Sequence, residues 1–152
     1  GINDQEIQSF VEWTKDQPLH VRFIEFMPFT GNEWQHEKVF GLKEILSTIE
    51  EKYSFIKLHD AINDTTKKYQ CVSHKGTFAI ISTMTAPFCS SCNRLRLTAD
   101  LLGAFRKGED IISLIKNSVL NKHQALGGQM TNQYEDMDAS LIQNRSMIAI
   151  GG

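Results

Sequence analysis

The chain has 152 residues, of which 41% are apolar, and a formal net charge of -2. It is long enough to bury a core in one or two domains, and its small charge and lack of a long basic run argue against a nucleic-acid-binding protein. No apolar run approaches a membrane span, and no signal peptide opens the chain, so we expect no membrane association. Three cysteines, an odd number, favour metal or catalytic roles in a reducing compartment over a disulfide framework.

The first predicted elements are a helix and a strand. Asn3 to Lys15 has a helical pattern, and Asn3 with Glu6 predicts a capping box. Leu19 to Met27 is apolar on both faces apart from two charged residues, which is typical of a central strand in a parallel sheet. Helix followed by buried strand is one unit of an α/β barrel or doubly wound sheet. We therefore expect a fragment that opens on the end of a larger α/β domain.

The first strand ends where α/β folds place their ligands. Glu25 and Met27 are one strand period apart, so they share a face and point toward any site above the sheet. A structural interpretation stays open beside this one. Met27 would then fill core space, and Glu25 would pair with Arg22 or another cation.

A helix and a hairpin are predicted next. Leu42 to Tyr53 is amphipathic, and the polar stretch from Lys57 to Lys67 is typical of a loop. Lys68 to Val72 and Thr77 to Met84 have strand patterns joined by a turn that ends in glycine. Cys71 lies inside the first of these strands, where we expect a small buried side chain, not a ligand.

The rest of the chain is predicted to add one strand and one helix. Arg94 to Thr98 would return as a third antiparallel strand, and Glu109 to Asn121 has the apolar face of a helix. Asn121 to Ser140 is polar, whereas Ser146 to Gly152 is an apolar tail expected to dock on the domain.

The stretch from Pro87 to Asp100 concentrates the chemistry of the chain. Cys89 and Cys92 form a Cys-x-x-Cys step, a spacing that lets two thiolates converge on one metal ion or cluster edge. Arg94 and Arg96 follow with one residue between them, so on a strand both guanidiniums lie on one face. Soft ligands beside two cationic forks predict a metal centre next to an anion such as a phosphate chain.

Three kinds of site are compatible with this motif taken alone. It could be half of a zinc site, a redox dithiol, or part of an iron-sulfur site. A zinc site needs further ligands, for which His74 and His123 are candidates only if folding brings them near. The dithiol is disfavoured because the residues after the motif have a strand pattern, whereas a thioredoxin-like motif opens a helix.

Three segments together resemble a known family, the molybdenum cofactor biosynthesis protein A family of radical S-adenosylmethionine GTP 3',8-cyclases, in its C-terminal part. They are Phe-Cys-Ser-Ser-Cys-Asn-Arg-Leu-Arg-Leu-Thr-Ala-Asp, Arg-Phe-Ile-Glu-Phe-Met-Pro, and the terminal Gly-Gly. The resemblance implies a lyase that converts GTP to a cyclic pyranopterin precursor, with 4Fe-4S clusters and S-adenosyl-L-methionine as cofactors. It also implies an N-terminal radical-SAM domain of the same protein, a homodimer, the cytoplasm, and the pathway partner cyclic pyranopterin monophosphate synthase accessory protein (MoaC).

The family's functional residues carry over onto the matching positions. The resemblance implies that Cys89 and Cys92 are ligands of a second 4Fe-4S cluster whose open iron contacts guanine. Arg94, Leu95 and Arg96 would bind GTP, the two arginines gripping its triphosphate.

Two further positions carry over from the family. The resemblance places Met27 beside S-adenosylmethionine, which reverses the packing interpretation given above. It makes Gly151 and Gly152 a catalytic tail that enters the active site, where side chains would not fit.

Two departures from the family pattern matter. The Cys-x3-Cys-x2-Cys loop that generates the radical is absent, so we expect this fragment alone to be inactive. The third cluster ligand is also absent, because its position holds Arg106 and Asp100 is followed directly by Leu101. Either the protein has lost this ligand, or a short hairpin that carries it is missing from the sequence. We expect the second, because Leu101-Leu102-Gly103 resembles what the family shows just after its third cysteine. Cys71 is no substitute, because it matches a strand position without a ligand role.

The predicted architecture is α/β (α+β), in two parts. Residues 1–30 would be the last helix-strand unit of an incomplete TIM-like barrel, and residues 31–152 a small antiparallel-sheet domain with helices that binds the cluster and GTP. Two alternatives to the cyclase are a non-catalytic zinc module and a purely structural interaction domain.

Overall fold

The computed structural model describes residues 2–29, 32–88, 91–94 and the backbone of 99–121, with side chains from 103 onward in that last range. The predicted strand over 94–98, the polar segment after 121 and the apolar tail lie almost wholly outside these residues. The helices and strands, in chain order, are α1 Ile7–Glu12, β1 His20–Ile24, α2 Leu42–Glu50, β2 Phe55–Lys57, β3 Lys67–Cys71, β4 Thr77–Ile81, α3 Ala99–Arg106 and α4 Ile111–Leu120, with short 3-10 turns at Asp4–Glu6 and His36–Lys38.

The four strands form one mixed sheet in the order β1-β4-β3-β2. β1 runs parallel to β4, whereas the β4–β3 and β3–β2 pairs are antiparallel. The predicted antiparallel sheet after residue 30 is confirmed for β2, β3 and β4, but β1 joins the same sheet through a parallel pair, so the sheet as a whole is mixed. The four-stranded sheet does not show whether β1 belongs to a barrel. The division of the chain at residue 30 also stays a prediction.

β1 differs from the central strand that its composition predicts. Among the described residues it lies at the edge of the sheet, and the exposure of its side chains alternates. Val21 and Phe23 face the core, whereas Ile24 on the other face is 62% exposed. A continuous apolar run does not separate a central strand from an edge strand, because pairing is decided by strands distant in sequence.

The core lies between one face of the sheet and the two helices α1 and α2. Its buried members come from both layers, and the ring planes of Tyr69 and Phe78 stack with centroids 5.2 Å apart. The central strand β4 is the most deeply buried, with Phe78, Ala79 and Ile80 at 0% exposure. The buried cluster comprises Ile7, Val11, Ile45, Ile49, Tyr69, Cys71, Phe78 and Ile80.

The predicted β3–β4 hairpin is confirmed, with a close approach at its turn. Ser73 adopts a positive φ of 68°, and a Cβ at Gly76 would lie 2.3 Å from the carbonyl O of Leu19. Only glycine fits there, because that oxygen accepts from the backbone N–H of Thr77. Cys71 is buried as expected, at 2% exposure.

The helix predictions have mixed outcomes. α2 and α4 are confirmed, and Asp110 caps α4 by accepting from the backbone N–H groups of Ile112 and Ser113. The capping box at Asn3 is wrong, because the chain opens with a 3-10 turn and the Asn3 side chain makes no capping hydrogen bond. β2 and α3 were not predicted. Among the described residues, none of the helices has the length and apolar content of a membrane span.

Candidate functional site

The carboxyl ends of β1 and β4 lie side by side at the same end of the sheet. The two strands are parallel and in register from His20 opposite Thr77 to Ile24 opposite Ile81, and the backbone N–H of Glu25 extends the pairing to the carbonyl O of Ile81 at 3.2 Å. The chain that leaves β1 through Met27 and the chain that leaves β4 toward Cys92 therefore start side by side. Proteins with parallel strands bind their ligands beside the carboxyl ends of those strands.

Glu25 ties the two departing segments together. Its side chain is 2% exposed and accepts backbone N–H hydrogen bonds from Leu42 at 2.8 Å, Met84 at 2.7 Å and Thr85 at 2.9 Å. The Thr85 hydroxyl donates a further short hydrogen bond to it. A buried carboxylate is stable only when its oxygens are satisfied in this way. The prediction that Glu25 points into the site is wrong. The structural interpretation is confirmed, although the partners are these N–H and hydroxyl donors and not Arg22 or another cation.

The first turn of α2 takes part in the same contact. Leu42 is its first residue, and a carboxylate near a helix N-terminus is favoured by the unpaired N–H groups there. The backbone of Gly41 packs so closely against the loop after β4 that a Cβ would lie 2.6 Å from Cγ2 of Thr85. Glu25 thus acts as a tertiary cap for α2 as well as a link between strand ends.

Two side chains hold the segment that carries Met27. The Asn32 amide donates to the carbonyl O of Met27 at 2.7 Å and accepts from the backbone N–H of Phe29 at 3.1 Å. The buried indole of Trp34 donates to the carbonyl O of Phe26 at 2.8 Å. Met27 is half-buried in this fixed backbone. Sequence reasoning missed both residues, although an Asn beside a glycine at a strand end is a recognisable turn signal.

The approach to the cysteine motif is also held by local hydrogen bonds. The buried Ser82 hydroxyl donates to the carbonyl O of Ala86 at 3.0 Å, and the backbone N–H of Ser91 donates to the carbonyl O of Phe88 at 3.2 Å. Cys92 follows and is half-buried. Among the described residues, no group of three His, Cys, Asp or Glu side chains converges as metal ligands would.

Arg94 reaches the loop between β2 and β3. Its Nη1 donates to the Thr65 hydroxyl at 2.8 Å, across a separation of 29 residues in the sequence. Asp64, next to Thr65, pairs with the Lys68 ammonium at 2.6 Å. The Lys68 hydrogen bond lowers the pKa of Asp64 most, the Ala61 backbone N–H lowers it further, and the charge of Arg94 contributes. Arg94 therefore lies in a mixed group of charges with Asp64 and Lys68.

The structure describes some of the predicted site residues and not others. Met27, Cys92 and Arg94 are described, and they are reached from the ends of β1 and β4. Asn93, whose role the sequence left open, is exposed. The following predicted residues lie outside the described part of the chain: Cys89, Leu95, Arg96, Gly151 and Gly152.

Cys71 and His74 were also considered as metal ligands, but the surroundings of each side chain indicate a structural role. Burial raises the pKa of the Cys71 thiol to about 11, so it is a poor thiolate donor. Nδ1 of the buried His74 lies 2.9 Å from the Thr14 hydroxyl, which itself donates to the carbonyl O of Val11 at 2.7 Å. Because a hydroxyl has one proton, Nδ1 of His74 is the donor to Thr14.

The fold and the site together define a class of protein: an α/β domain with a mixed sheet, in which Cys92 and Arg94 follow strand β4, and β4 ends beside the parallel strand β1. The chain belongs to the Molybdenum Cofactor Synthesis C family, whose model matches residues 19–107. The resemblance read from the cysteine and arginine motif is thereby confirmed.

Curated relatives agree with this assignment. The chain is 36% identical to "GTP 3',8-cyclase, mitochondrial" of Arabidopsis thaliana across 100% of this chain and 42% of that protein. It is 33% identical to "GTP 3',8-cyclase" of Peptoclostridium acidaminophilum across 100% of this chain and 48% of that protein. "Molybdenum cofactor biosynthesis protein moc-5" of Caenorhabditis elegans is 49% identical across 64% of this chain and 17% of that protein.

These relatives are longer than this chain. The chain spans less than half of the length of each of these relatives. The Arabidopsis alignment covers 170 positions, although this chain has 152 residues, so that relative contains residues with no counterpart here.

Proposed function

We propose that this chain is the GTP-binding C-terminal part of a GTP 3',8-cyclase, a lyase that acts in molybdenum cofactor biosynthesis with GTP as its substrate. The observation that carries the proposal is the meeting of the β1 and β4 ends at Glu25. That contact sets the Met27 segment beside the approach to Cys92. Two stretches far apart in sequence, both part of the family resemblance, thus start from one edge of the sheet.

In this proposal each matching residue has a role. Arg94 and Arg96 bind the GTP triphosphate, because planar guanidiniums pair with phosphate oxygens through two N–H groups at once. Leu95 lies between them and positions the nucleotide through its backbone. Met27 borders S-adenosyl-L-methionine, and the Gly151 and Gly152 tail completes the active site.

The cluster needs more than this chain provides. Cys89 and Cys92 are two sulfur donors, whereas the implied 4Fe-4S cluster takes three, and Cys71 is a buried thiol with a raised pKa. We propose that the third cysteine belongs to residues present in the relatives and absent here, which agrees with the longer alignment. When bound, such a cluster would offer the substrate an iron without a protein ligand.

The remaining parts of the proposal concern the whole protein. An N-terminal radical-SAM domain of the same protein supplies the radical, with the boundary near residue 30, and this fragment alone is inactive. The accessory protein MoaC acts next in the pathway, and the enzyme is a cytoplasmic homodimer. The name of the Arabidopsis relative places that protein in the mitochondrion.

The test uses the full-length protein after anaerobic reconstitution with iron and sulfide. We expect Arg94→Ala and Arg96→Ala each to weaken GTP binding at least tenfold, measured by calorimetry, because each removes a charge-assisted phosphate contact. Lys116→Ala, on the exposed surface of α4, is the control and should bind as the parent does. Unchanged GTP affinity in both arginine variants would refute the proposal. One equivalent of zinc with no iron would support the zinc module instead.

A further inference from the structure

We propose that Thr65 is a positioning residue that orients Arg94 toward the phosphates of the nucleotide, so that the β2–β3 loop is part of the nucleotide site. The inference rests on the proposed role of Arg94 in GTP binding. The sequence assigns this loop no function beyond connecting two strands.

The contact with Thr65 restricts an otherwise free side chain. Arg94 is exposed, and a long exposed side chain has many rotamers that it must give up on binding a ligand. The hydrogen bond from Nη1 to the Thr65 hydroxyl, at 2.8 Å, selects one orientation of the guanidinium plane. Ordering the side chain before the ligand arrives lowers the entropic cost of binding.

The loop that carries Thr65 is itself held in place. Asp60 accepts from the backbone N–H of Lys68 at 3.1 Å, and Asp64 accepts from the backbone N–H of Ala61 at 3.0 Å. The Lys68 ammonium donates to Asp64 at 2.6 Å. Thr65 follows Asp64 and precedes Lys68 of β3, so these hydrogen bonds restrict the position of its hydroxyl.

The chemistry of the acceptor suits an anion site. A hydroxyl orients a guanidinium without neutralising its charge, whereas a carboxylate in direct contact would compete with a phosphate. The nearby carboxylate, Asp64, is engaged by the ammonium of Lys68. Among the described residues Thr65 is the one acceptor that Arg94 contacts, which leaves its other N–H donors for phosphate oxygens.

The experiment compares three substitutions in the reconstituted full-length protein. Thr65→Val keeps the shape and removes the acceptor, Thr65→Ser keeps the hydroxyl, and Thr66→Val makes the same change one position away. We expect Thr65→Val to weaken GTP binding about three- to tenfold and GMP binding less, because GMP lacks the outer phosphates. Thr65→Ser and Thr66→Val should bind GTP within about twofold of the parent, as expected where no hydrogen bond is lost.

A double-mutant cycle with Arg94→Ala separates this inference from the proposed function. If Thr65 acts through Arg94, adding Thr65→Val to Arg94→Ala should weaken GTP binding no further. The inference is overturned if Thr65→Val binds as the parent, if Thr66→Val is equally weakened, if GMP loses as much affinity as GTP, or if the two effects add. In each of these cases a loss in Arg94→Ala alone leaves the proposed function standing. Parental GTP affinity in Arg94→Ala would overturn this inference, whereas the proposed function falls only if Arg96→Ala also binds GTP as the parent does.

Discussion

At the scale of single residues, Glu25 has the most connections in the described part of the site. Three backbone N–H groups and one hydroxyl donate to its two oxygens, and they come from two segments distant in sequence. The successive N–H groups of Met84 and Thr85 form a small anion-binding concavity, which this side chain fills. The residue therefore shapes the site from inside, because its oxygens are engaged by the backbone that surrounds them.

Glu25→Gln should destabilise the protein by about 2–3 kcal/mol, because the amide NH2 turns one acceptor into a donor that faces buried N–H groups. Urea denaturation monitored by circular dichroism measures the change. Glu50→Gln, on the exposed side of α2, is the matched control and should stay within about 0.5 kcal/mol of the parent. Equal stability of the two variants would show that Glu25 is not the link described above.

Glu12 is a second carboxylate, and its hydrogen bonds make the stability of the folded state depend on pH. The Tyr53 hydroxyl donates to its Oε2, and the Lys52 ammonium lies 3.0 Å from the same oxygen. These hydrogen bonds, that of Tyr53 first, lower the pKa of Glu12 from 4.5 to about 2. A lowered pKa means that the folded state favours the charged form, so the stabilisation is present above pH 4.5 and is lost as the pH falls toward 2.

The stability difference between the parent and Glu12→Gln should therefore be largest near neutral pH and shrink between pH 4.5 and 2. Urea titrations at several pH values measure it. The difference should also shrink in ~1 M salt, because the group lies at the surface, where screening is strong. A difference that grows as the pH falls would contradict the assigned pKa direction.

At the scale of elements, β4 is the centre of the molecule. It pairs with β1 on one side and β3 on the other, and its residues Phe78 to Ile80 are fully buried. It also delivers the chain to the site, since the loop that binds Glu25 begins where the strand ends. Packing of this strand and geometry of the site are consequently coupled.

Phe78→Ala should cost about 3–5 kcal/mol, because it leaves a cavity among the rings of Phe55 and Tyr69. Phe105→Ala is the matched control, since the same residue type on α3 is 67% exposed. It should change the free energy of unfolding by less than about 1 kcal/mol. Chemical denaturation of both variants decides the point, and comparable losses would contradict the assigned core.

At the scale of the whole molecule, the two predicted parts of the chain share one core. Ile7 and Val11 of α1 pack with Ile45 and Ile49 of α2, and β1 pairs with β4 over its whole length. Residues 2–29 thus contribute to the same packing as later residues, whichever domain they belong to.

A chain that begins at residue 31 should therefore lose cooperative unfolding, because it exposes the faces of Phe78 and Ile80 that the removed residues cover. Thermal melts followed by circular dichroism, with chain 1–152 as the reference, measure the effect. A cooperative transition within a few degrees of the reference would show that residues 31–152 hold together alone.

Prediction from the sequence succeeded where the signal was local. α2, α4 and the β3–β4 hairpin follow from periodicity and turn residues within short windows. β2 was missed because Phe55–Lys57 is a strand only through pairing with β3. α4 also shows the limit of periodicity, since Ile112 and Val119 on its predicted apolar face are 66% and 53% exposed to solvent among the described residues.

The amino-acid sequence by itself determined the family and the candidate ligands. The cysteine step and the alternating arginines are contiguous, and chemistry carried by neighbours in the chain is visible without a fold. The partners of Glu25, the parallel pairing of β1 with β4 and the contact between Arg94 and Thr65 were decided only by the tertiary structure. Each of these joins segments that are far apart in the chain, and local sequence patterns do not encode which distant segments meet.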